Sequence, residues 1–395
     1  MSKDDLSQRE LYVGREQSLI KHRILQKYLQ RFALIIGGSK WDTITYVDCF
    51  SGPWNVQSDD LSDSSFSIAL RELQAARTQL SDRSKSLKLR CLFLEKSPDA
   101  YAKLKEFSDN VKNAEVETRN SELKDAIDDI LAFIRKGGAR SFSFIFIDPT
   151  GWTGFAMDEI ARLLKVVPGE VLINFMTSHI IRFIESPDEI TYESFVRLFG
   201  EESFKEVLSG LSNRDREDAI VTKYTENVAK VGNFGFTSSA VILHPELDRT
   251  HFHLIYATRN RTGIEVFKEA EEKAMDEMQH VRAEARKRKT EQKTRQKDLF
   301  GSEPEVLHQS KYYDELRNRY LERAKEKVRR LLADSGRVLY DDVWSTAFRE
   351  PLIWKKDLKD WLSEWKADGH LNYDNMLPKQ RVPKLGGNNF LVWVK

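Results

Sequence analysis

Three acidic residues stand where apolar strands stop. Phe142-Ser143-Phe144-Ile145-Phe146-Ile147 runs almost without a polar break into Asp148-Pro149, and the proline there removes a backbone donor and cannot continue a central strand. Leu89-Arg90-Cys91-Leu92-Phe93-Leu94 ends at Glu95, and Thr43-Ile44-Thr45-Tyr46-Val47 ends at Asp48. Aromatic and branched runs of this kind read as strands buried on both faces. In open α/β sheets the ligand crevice lies outside the carboxyl ends of the strands. Acids placed there can accept hydrogen bonds from hydroxyl and amino groups. Asp148 alone reads equally well as a turn residue; Asp48 and Glu95 at two earlier strand ends make it the rim of a crevice.

The elements that would position these acids alternate. A helix is expected over residues 17–36, where Ile20, Ile24, Tyr28, Phe32 and Ile35 recur at helical spacing before Gly37-Gly38. Further helices are expected at 66–80, 99–107, 123–134 and 157–166, with strands at 114–118 and 170–175 between or after them. Residues 177–232 read as a helical insertion. Two final strands, 238–243 and 251–256, are joined by His244-Pro245-Glu246-Leu247-Asp248, a hairpin loop. Strands alternating with helices imply a mostly parallel sheet with right-handed crossovers. The fold class expected is α/β, a Rossmann-like class I S-adenosylmethionine (AdoMet) methyltransferase sheet with a terminal β-hairpin, because a plain nucleotide-binding domain would place another helix between its last two strands.

An AdoMet pocket makes demands on each strand end. After the first strand a tight loop must let the backbone approach the cofactor, which favours glycine. Asp48-Cys49-Phe50-Ser51-Gly52 supplies an acid for the amino group and one glycine, though not three. Asp-x-Phe-x-Gly resembles the form found in many DNA methyltransferases, in which the Phe, here Phe50, lies against the cofactor. Glu95 is placed to accept hydrogen bonds from ribose hydroxyls, and Asn120 or Ser121 to reach the adenine amine. Ser121 reads equally as a helix cap.

Asp148-Pro149-Thr150-Gly151-Trp152 resembles the Asp-Pro-Pro-Tyr motif of amino-methyltransferases acting on adenine N6 or cytosine N4. A carboxylate and a neighbouring carbonyl can accept the two hydrogens of an exocyclic amine, and an aromatic ring can stack on the extruded base. On that resemblance Asp148, Pro149 and Trp152 are the catalytic candidates. Thr150 replaces the second proline and the aromatic comes one residue late; Trp152 reads nearly as well as core packing.

Lys21-His22-Arg23-Ile24-Leu25-Gln26-Lys27-Tyr28-Leu29, Tyr46-Val47-Asp48-Cys49-Phe50-Ser51-Gly52-Pro53, the stretch around Asp148 and Glu170-Val171-Leu172-Ile173-Asn174-Phe175 together resemble the bacterial three-Cys-motif partner protein family. The resemblance spans roughly the first two-thirds of the chain. It implies a methyltransferase-like fold and a partner carrying a three-cysteine motif typical of radical-AdoMet chemistry. It implies no settled substrate.

The chain has 395 residues, 63 Lys and Arg against 62 Asp and Glu, so nucleic-acid binding must come from local patches. One such patch is Arg286-Lys287-Arg288-Lys289, in a helix-prone charged stretch that equally reads as a solvated face. Beyond Gly301-Ser302-Glu303-Pro304, helices followed by two strands with a basic loop (Lys379, Arg381, Lys384) suggest a winged helix, a module that docks DNA or protein. The expected domains are therefore 1–268, methyltransferase-like; 269–311, charged helix and linker; and 312–395, winged-helix-like. Gln296-Lys297-Asp298-Leu299-Phe300 resembles the peptide by which bacterial proteins dock on the DNA sliding clamp.

Cys49 and Cys91 sit in apolar runs and read as core residues, not a disulfide framework. His244, His251 and His253 lie around the last hairpin but lack a supporting Cys or carboxylate, so they read as edge-strand histidines and no metal is expected. No stretch reaches the length of a membrane span and no apolar signal region follows Met1, which points to a soluble cytoplasmic protein. These features favour an AdoMet-dependent methyltransferase acting on an exocyclic base amine of DNA or RNA. The alternative is a non-catalytic methyltransferase-like subunit that binds nucleic acid or its three-cysteine partner, with phage defence as the setting expected for it. A third reading, a nuclease, is less favoured, since the sequence offers no convincing acid-acid-lysine constellation for it.

Overall fold

The structure, a computed structural model, describes residues 9–53, 56–208, 210–294 and 311–394. The chain divides into two compact units, one of Met1–Thr237 with Val241–Pro304 and one of Ser238–Ala240 with Glu305–Lys395.

The larger unit is organised on β1 (Thr43–Asp48), β2 (Lys88–Glu95), β3 (Glu115–Asn120), β4 (Ser141–Ile147), β5 (Gly169–Phe175), β6 (Phe236–Leu243) and β7 (Thr250–Thr258). They form a seven-stranded sheet in the order β3-β2-β1-β4-β5-β7-β6. The first five pair in parallel, and β7 runs antiparallel to β5. This is the class I methyltransferase sheet, with the hairpin expected at its end. The strands run one to three residues beyond their expected runs because residues at their termini still join the ladder.

Helices cover both faces. They are α1 (Glu16–Gly38), α2 (Ser65–Ser81), α3 (Pro98–Asp109), α4 (Leu123–Lys136), α5 (Met157–Leu164), α6 (Thr177–Phe183), α7 (Glu189–Phe199), a 3₁₀ turn at Glu202–Leu208, α8 (Asn213–Gly232) and α9 (Arg261–Thr294). On one face Tyr28 and Phe32 of α1 meet Phe144 of β4, both with ring centroids 5.4 Å away, and Tyr46 of β1 stacks on the same ring. On the other face Val47, Ile145, Ile173 and Phe175 form one core with Ile127, Ile160, Phe195, Phe199 and Tyr224. Residues expected to be an insertion therefore help build the second layer, and α8 is the crossover between β5 and β6.

The expected boundary at 268 falls inside α9. Ile264, Phe267, Ala270, Ala274, Met275, Met278 and Val281 form its buried stripe, which α1 covers, and Arg23 of α1 pairs with Glu277 at 3.0 Å. A charged sequence concealed this stripe, since mean hydropathy is low while the spacing is still helical. Among the described residues no helix is long and apolar enough to cross a membrane.

The smaller unit runs α10 (Lys311–Ser335), β8 (Arg337–Leu339), α11 (Tyr340–Phe348), α12 (Lys355–Ala367), β9 (Leu371–Asp374) and β10 (Phe390–Trp393). Its strands make an antiparallel sheet in the order β8-β10-β9. Tyr320, Val328, Leu332, Trp344, Phe348, Leu358 and Leu391 are its buried core.

Candidate functional site

The strand order reverses between β1 and β4, and the crevice there is the position where a doubly wound sheet takes its ligand. The loop leaving β1 is tied to both neighbouring strands: Cys49 N–H donates to Phe146 O at 2.9 Å, and Ser51 N–H to Leu94 O at 2.7 Å. Asp48 is fully buried beneath this loop. Its Oδ1 accepts from Phe50 N–H at 3.1 Å, and its Oδ2 from Ser65 Oγ, at the start of α2, at 2.8 Å. Burial pushes its carboxyl up to about 7; the Ser65 and Phe50 hydrogen bonds oppose that shift, and the nearby charge of Asp148 adds to it. Tyr46 Oη is buried without a hydrogen-bond partner among the described residues, and burial with the charges of Asp48 and Asp148 raises its pKa.

Asp148 is clasped from two sides. Lys21 Nζ of α1 donates to Oδ2 at 2.5 Å, and Asn174 Nδ2, near the end of β5, donates to Oδ1 at 2.7 Å. Asn174 is buried, and among the described residues its own Oδ1 has no hydrogen-bond partner. An orphaned buried acceptor is uncommon and calls for a donor from outside the chain, a water or a ligand. Neither Lys21 nor Asn174 stood out as a site residue in the sequence, although both lie in the stretches that carry the family resemblance.

Glu95 closes β2, almost buried, with Oε1 accepting from Ser97 N–H at 2.6 Å. Asn120 lies directly across the ladder from Glu95. Its amide donates to Glu95 O at 2.8 Å and to Lys96 O at 3.1 Å, so it braces the two strand ends. Ser121 N–H donates to Glu95 O and its hydroxyl to Glu122 O. The Asn120 bonds use its amide N–H groups, so its Oδ1 is the atom that would accept from an adenine amine. Phe50 packs on the edge of the main core, and Gly52 is half-buried in the loop.

Pro149 is buried, and Trp152 is held in an aromatic cluster. Its ring lies 5.5 Å from Phe195 in a stacked arrangement and 5.0 Å from Phe183, and its Nε1–H donates to Ser194 Oγ at 3.0 Å. The ring that would stack on a base is here packed against α6 and α7. Trp152→Phe shortens the ring packed on Phe183 and Phe195 and deletes one hydrogen bond, so it is expected to cost about 2–3 kcal/mol in urea denaturation. A loss well below about 1 kcal/mol would show that the indole is not held by this packing.

The basic run of α9 folds back on its own unit. Arg286 pairs with Asp248, Arg288 with Glu16, and Lys289 with Glu246 at 2.5 Å, while Lys287 is likewise engaged. Arg286 and Lys289 therefore brace the hairpin loop and Arg288 braces α1, so the run is not a bare basic surface. In the smaller unit Lys379, Arg381 and Lys384 stand exposed on the loop between β9 and β10. That loop is held by Asn389 Oδ1, which accepts from Gln380 Nε2 and Lys384 N–H, both at 2.8 Å. The clamp-like peptide 296–300 lies outside the described residues.

β7 is an inner strand, so its histidines are not edge residues. His253 is buried, with Nδ1 at 3.3 Å from Thr177 Oγ1, and burial with the charges of His244 and His179 lowers His251 to about 4. Among the described residues no group of His, Cys, Asp and Glu is arranged to hold a metal ion. Cys49 and Cys91 are buried free thiols.

No family model matches the chain, and no curated protein matches it. Among solved structures, a Legionella pneumophila protein, LPL1258, of family DUF519 is similar at 12% identity, over 60% of this chain and 84% of that one, with a TM-score of 0.33. The plantazolicin methyltransferase BpumL, in complex with SAH, is similar at 10% identity over 66% of this chain and 91% of its own, with a TM-score of 0.27. Loganic acid methyltransferase with SAH gives 10% identity, 69% and 88% coverage, and a TM-score of 0.29. The fold assignment rests on the strand order.

Proposed function

We propose that this chain is an AdoMet-dependent methyltransferase whose target is an exocyclic amine of a nucleic-acid base, adenine N6 or cytosine N4. The observation that carries the reading is the placement of Asp48, Glu95 and Asp148 at the carboxyl ends of three adjacent strands in a sheet of class I methyltransferase order. The residues present suit the cofactor. Glu95 keeps Oε2 clear of protein hydrogen bonds among the described residues, as an acceptor for ribose hydroxyls needs, while its Oε1 is fixed by Ser97. The unpartnered Asn174 Oδ1 beside Asp148 offers a further acceptor to an incoming N–H donor. Asp48, with both oxygens already engaged, shapes the loop around Gly52. AdoMet supplies an electrophilic methyl group when bound. Asp148 accepts a hydrogen bond from the target amine, with Lys21 and Asn174 fixing its orientation. The exposed cations Lys379, Arg381 and Lys384 supply phosphate contacts from the smaller unit, whose helix, strand, two helices and strand pair follow the order of a winged helix.

A second reading is favoured by the Lys21–Asp148 ion pair, which occupies the carboxylate with an internal cation. It makes the chain a non-catalytic methyltransferase-like subunit serving a three-cysteine-motif partner. Isothermal titration with AdoMet tests the cofactor site common to both. Saturable binding is expected, weakened at least about tenfold by Glu95→Ala and less by Glu95→Gln, which keeps an acceptor for Ser97. Absence of binding, or equal binding by the alanine variant, would remove the enzyme reading.

A further inference from the structure

The opposite, amino-terminal end of the sheet holds a cavity of about 460 Å³. Its walls include Tyr28 and Phe32 of α1, Trp41 just before β1, and Phe142 at the start of β4. At this end Glu170, the second residue of β5, also lines the cavity although it is only 4% exposed. A carboxylate at this depth in an apolar strand needs compensation. What it has is a set of hydroxyls: Tyr28 Oη donates to Oε2 at 2.5 Å, Thr258 Oγ1 donates to Oε1 at 2.7 Å, and Tyr256 Oη meets Tyr28 Oη at 2.6 Å. Gly263 closes against this network, since a Cβ there would stand 2.2 Å from Tyr256 Oη and 3.0 Å from Glu170 Oε1. Lys40, the cation in the lining, is exposed and lies over the Trp41 ring, 4.8 Å from its centroid.

We propose that this cavity binds a small organic cation, an ammonium group carried on an apolar or aromatic body, with Glu170 as its counter-ion and the aromatic walls as its cage. Among the described residues the carboxylate is oriented by neutral hydroxyl donors, so a monocation entering the cavity completes its charge. Electron-rich ring faces attract ammonium groups, and most strongly where water is excluded. The aromatic walls match an apolar body, and a neutral molecule of the same shape would leave the carboxylate uncompensated. The site is separate from the crevice at the carboxyl ends of the strands and does not depend on the function proposed for it.

The probe is benzylammonium, compared with benzyl alcohol as its neutral isostere, titrated calorimetrically into the full chain at millimolar concentration. The amine is expected to bind saturably and at least about tenfold more tightly than the alcohol. Glu170→Gln should remove that preference, and Trp41→Ala should weaken the amine several-fold while circular dichroism stays unchanged. Equal affinity for amine and alcohol, or no saturable amine binding, would overturn the proposal. So would amine binding that Glu170→Gln leaves intact. Should the glutamine variant not fold, the amine–alcohol comparison and Trp41→Ala decide the matter in the same way.

Discussion

Asp148→Ala is expected to lower methyl transfer to DNA or RNA by about 10²–10³-fold, the usual cost of removing one aimed hydrogen-bonding group from a reacting centre. AdoMet affinity should change less than turnover, because Glu95 on β2, the main acceptor assigned to the cofactor, is fixed by Ser97 and not by Asp148. The carboxylate sits at the switch point with one oxygen on Lys21 and the other on Asn174. Each oxygen retains a second lone-pair direction for an amine hydrogen. Alanine also leaves the Lys21 ammonium, 12% exposed, without its counter-ion. Asp148→Asn is the companion variant, since its amide oxygen still accepts from one neighbour and the fold loses less. Transfer of labelled methyl from AdoMet, measured for parent and both variants, is the test. Full turnover by the alanine variant would end the catalytic assignment of Asp148. A parent that binds AdoMet and transfers nothing would instead favour the non-catalytic subunit.

Asp48→Asn is expected to stabilise the ligand-free protein by roughly 4 kcal/mol at about pH 8 and to flatten its stability profile. The sign follows from the direction of the shift. Burial holds the folded carboxyl near 7 against an ordinary value of 3.8. Between those two values the unfolded chain has released its proton while the folded chain keeps it, so stability falls as pH rises and the loss is complete above about 7. Asparagine keeps an oxygen for Phe50 N–H, and its amide can donate to Ser65 Oγ, which as a hydroxyl accepts as well as donates. Urea denaturation from about pH 5 to pH 8 should show the gap between variant and parent opening with pH. A gap that is constant over that range would rule out the buried carboxylate as its source.

The crevice was legible in the sequence because each contributing strand is an apolar run that stops at an acid, and a stop of that kind needs no knowledge of distant residues. The partners of those acids were not legible. Lys21 and Asp148 are 127 residues apart, and nothing in the helical spacing of α1 distinguishes Lys21 from its other cations. Asn174 and Glu170 lay inside a strand read as uniformly buried; a polar residue in such a run is itself the signal, since it must find partners. The reading of Arg286–Lys289 as a phosphate-contacting patch failed to anticipate Asp248, Glu246 and Glu16, acids brought alongside only by the fold. Trp152 offered stacking or packing on equal terms, and only the fold brings Ser194 and Phe195 to its ring.

Lys21 and Tyr28 stand two turns apart on α1, the first on Asp148 at one end of the sheet and the second on Glu170 at the other. An α-helix rises about 1.5 Å per residue and is stiff over that length, so the two contacts are joined by a rod roughly 10 Å long. A slide or roll of α1 that adjusts one carboxylate must adjust the other. If occupancy at either end shifts the rod, the two ends are thermodynamically linked, and each would alter the other's affinity by the same factor.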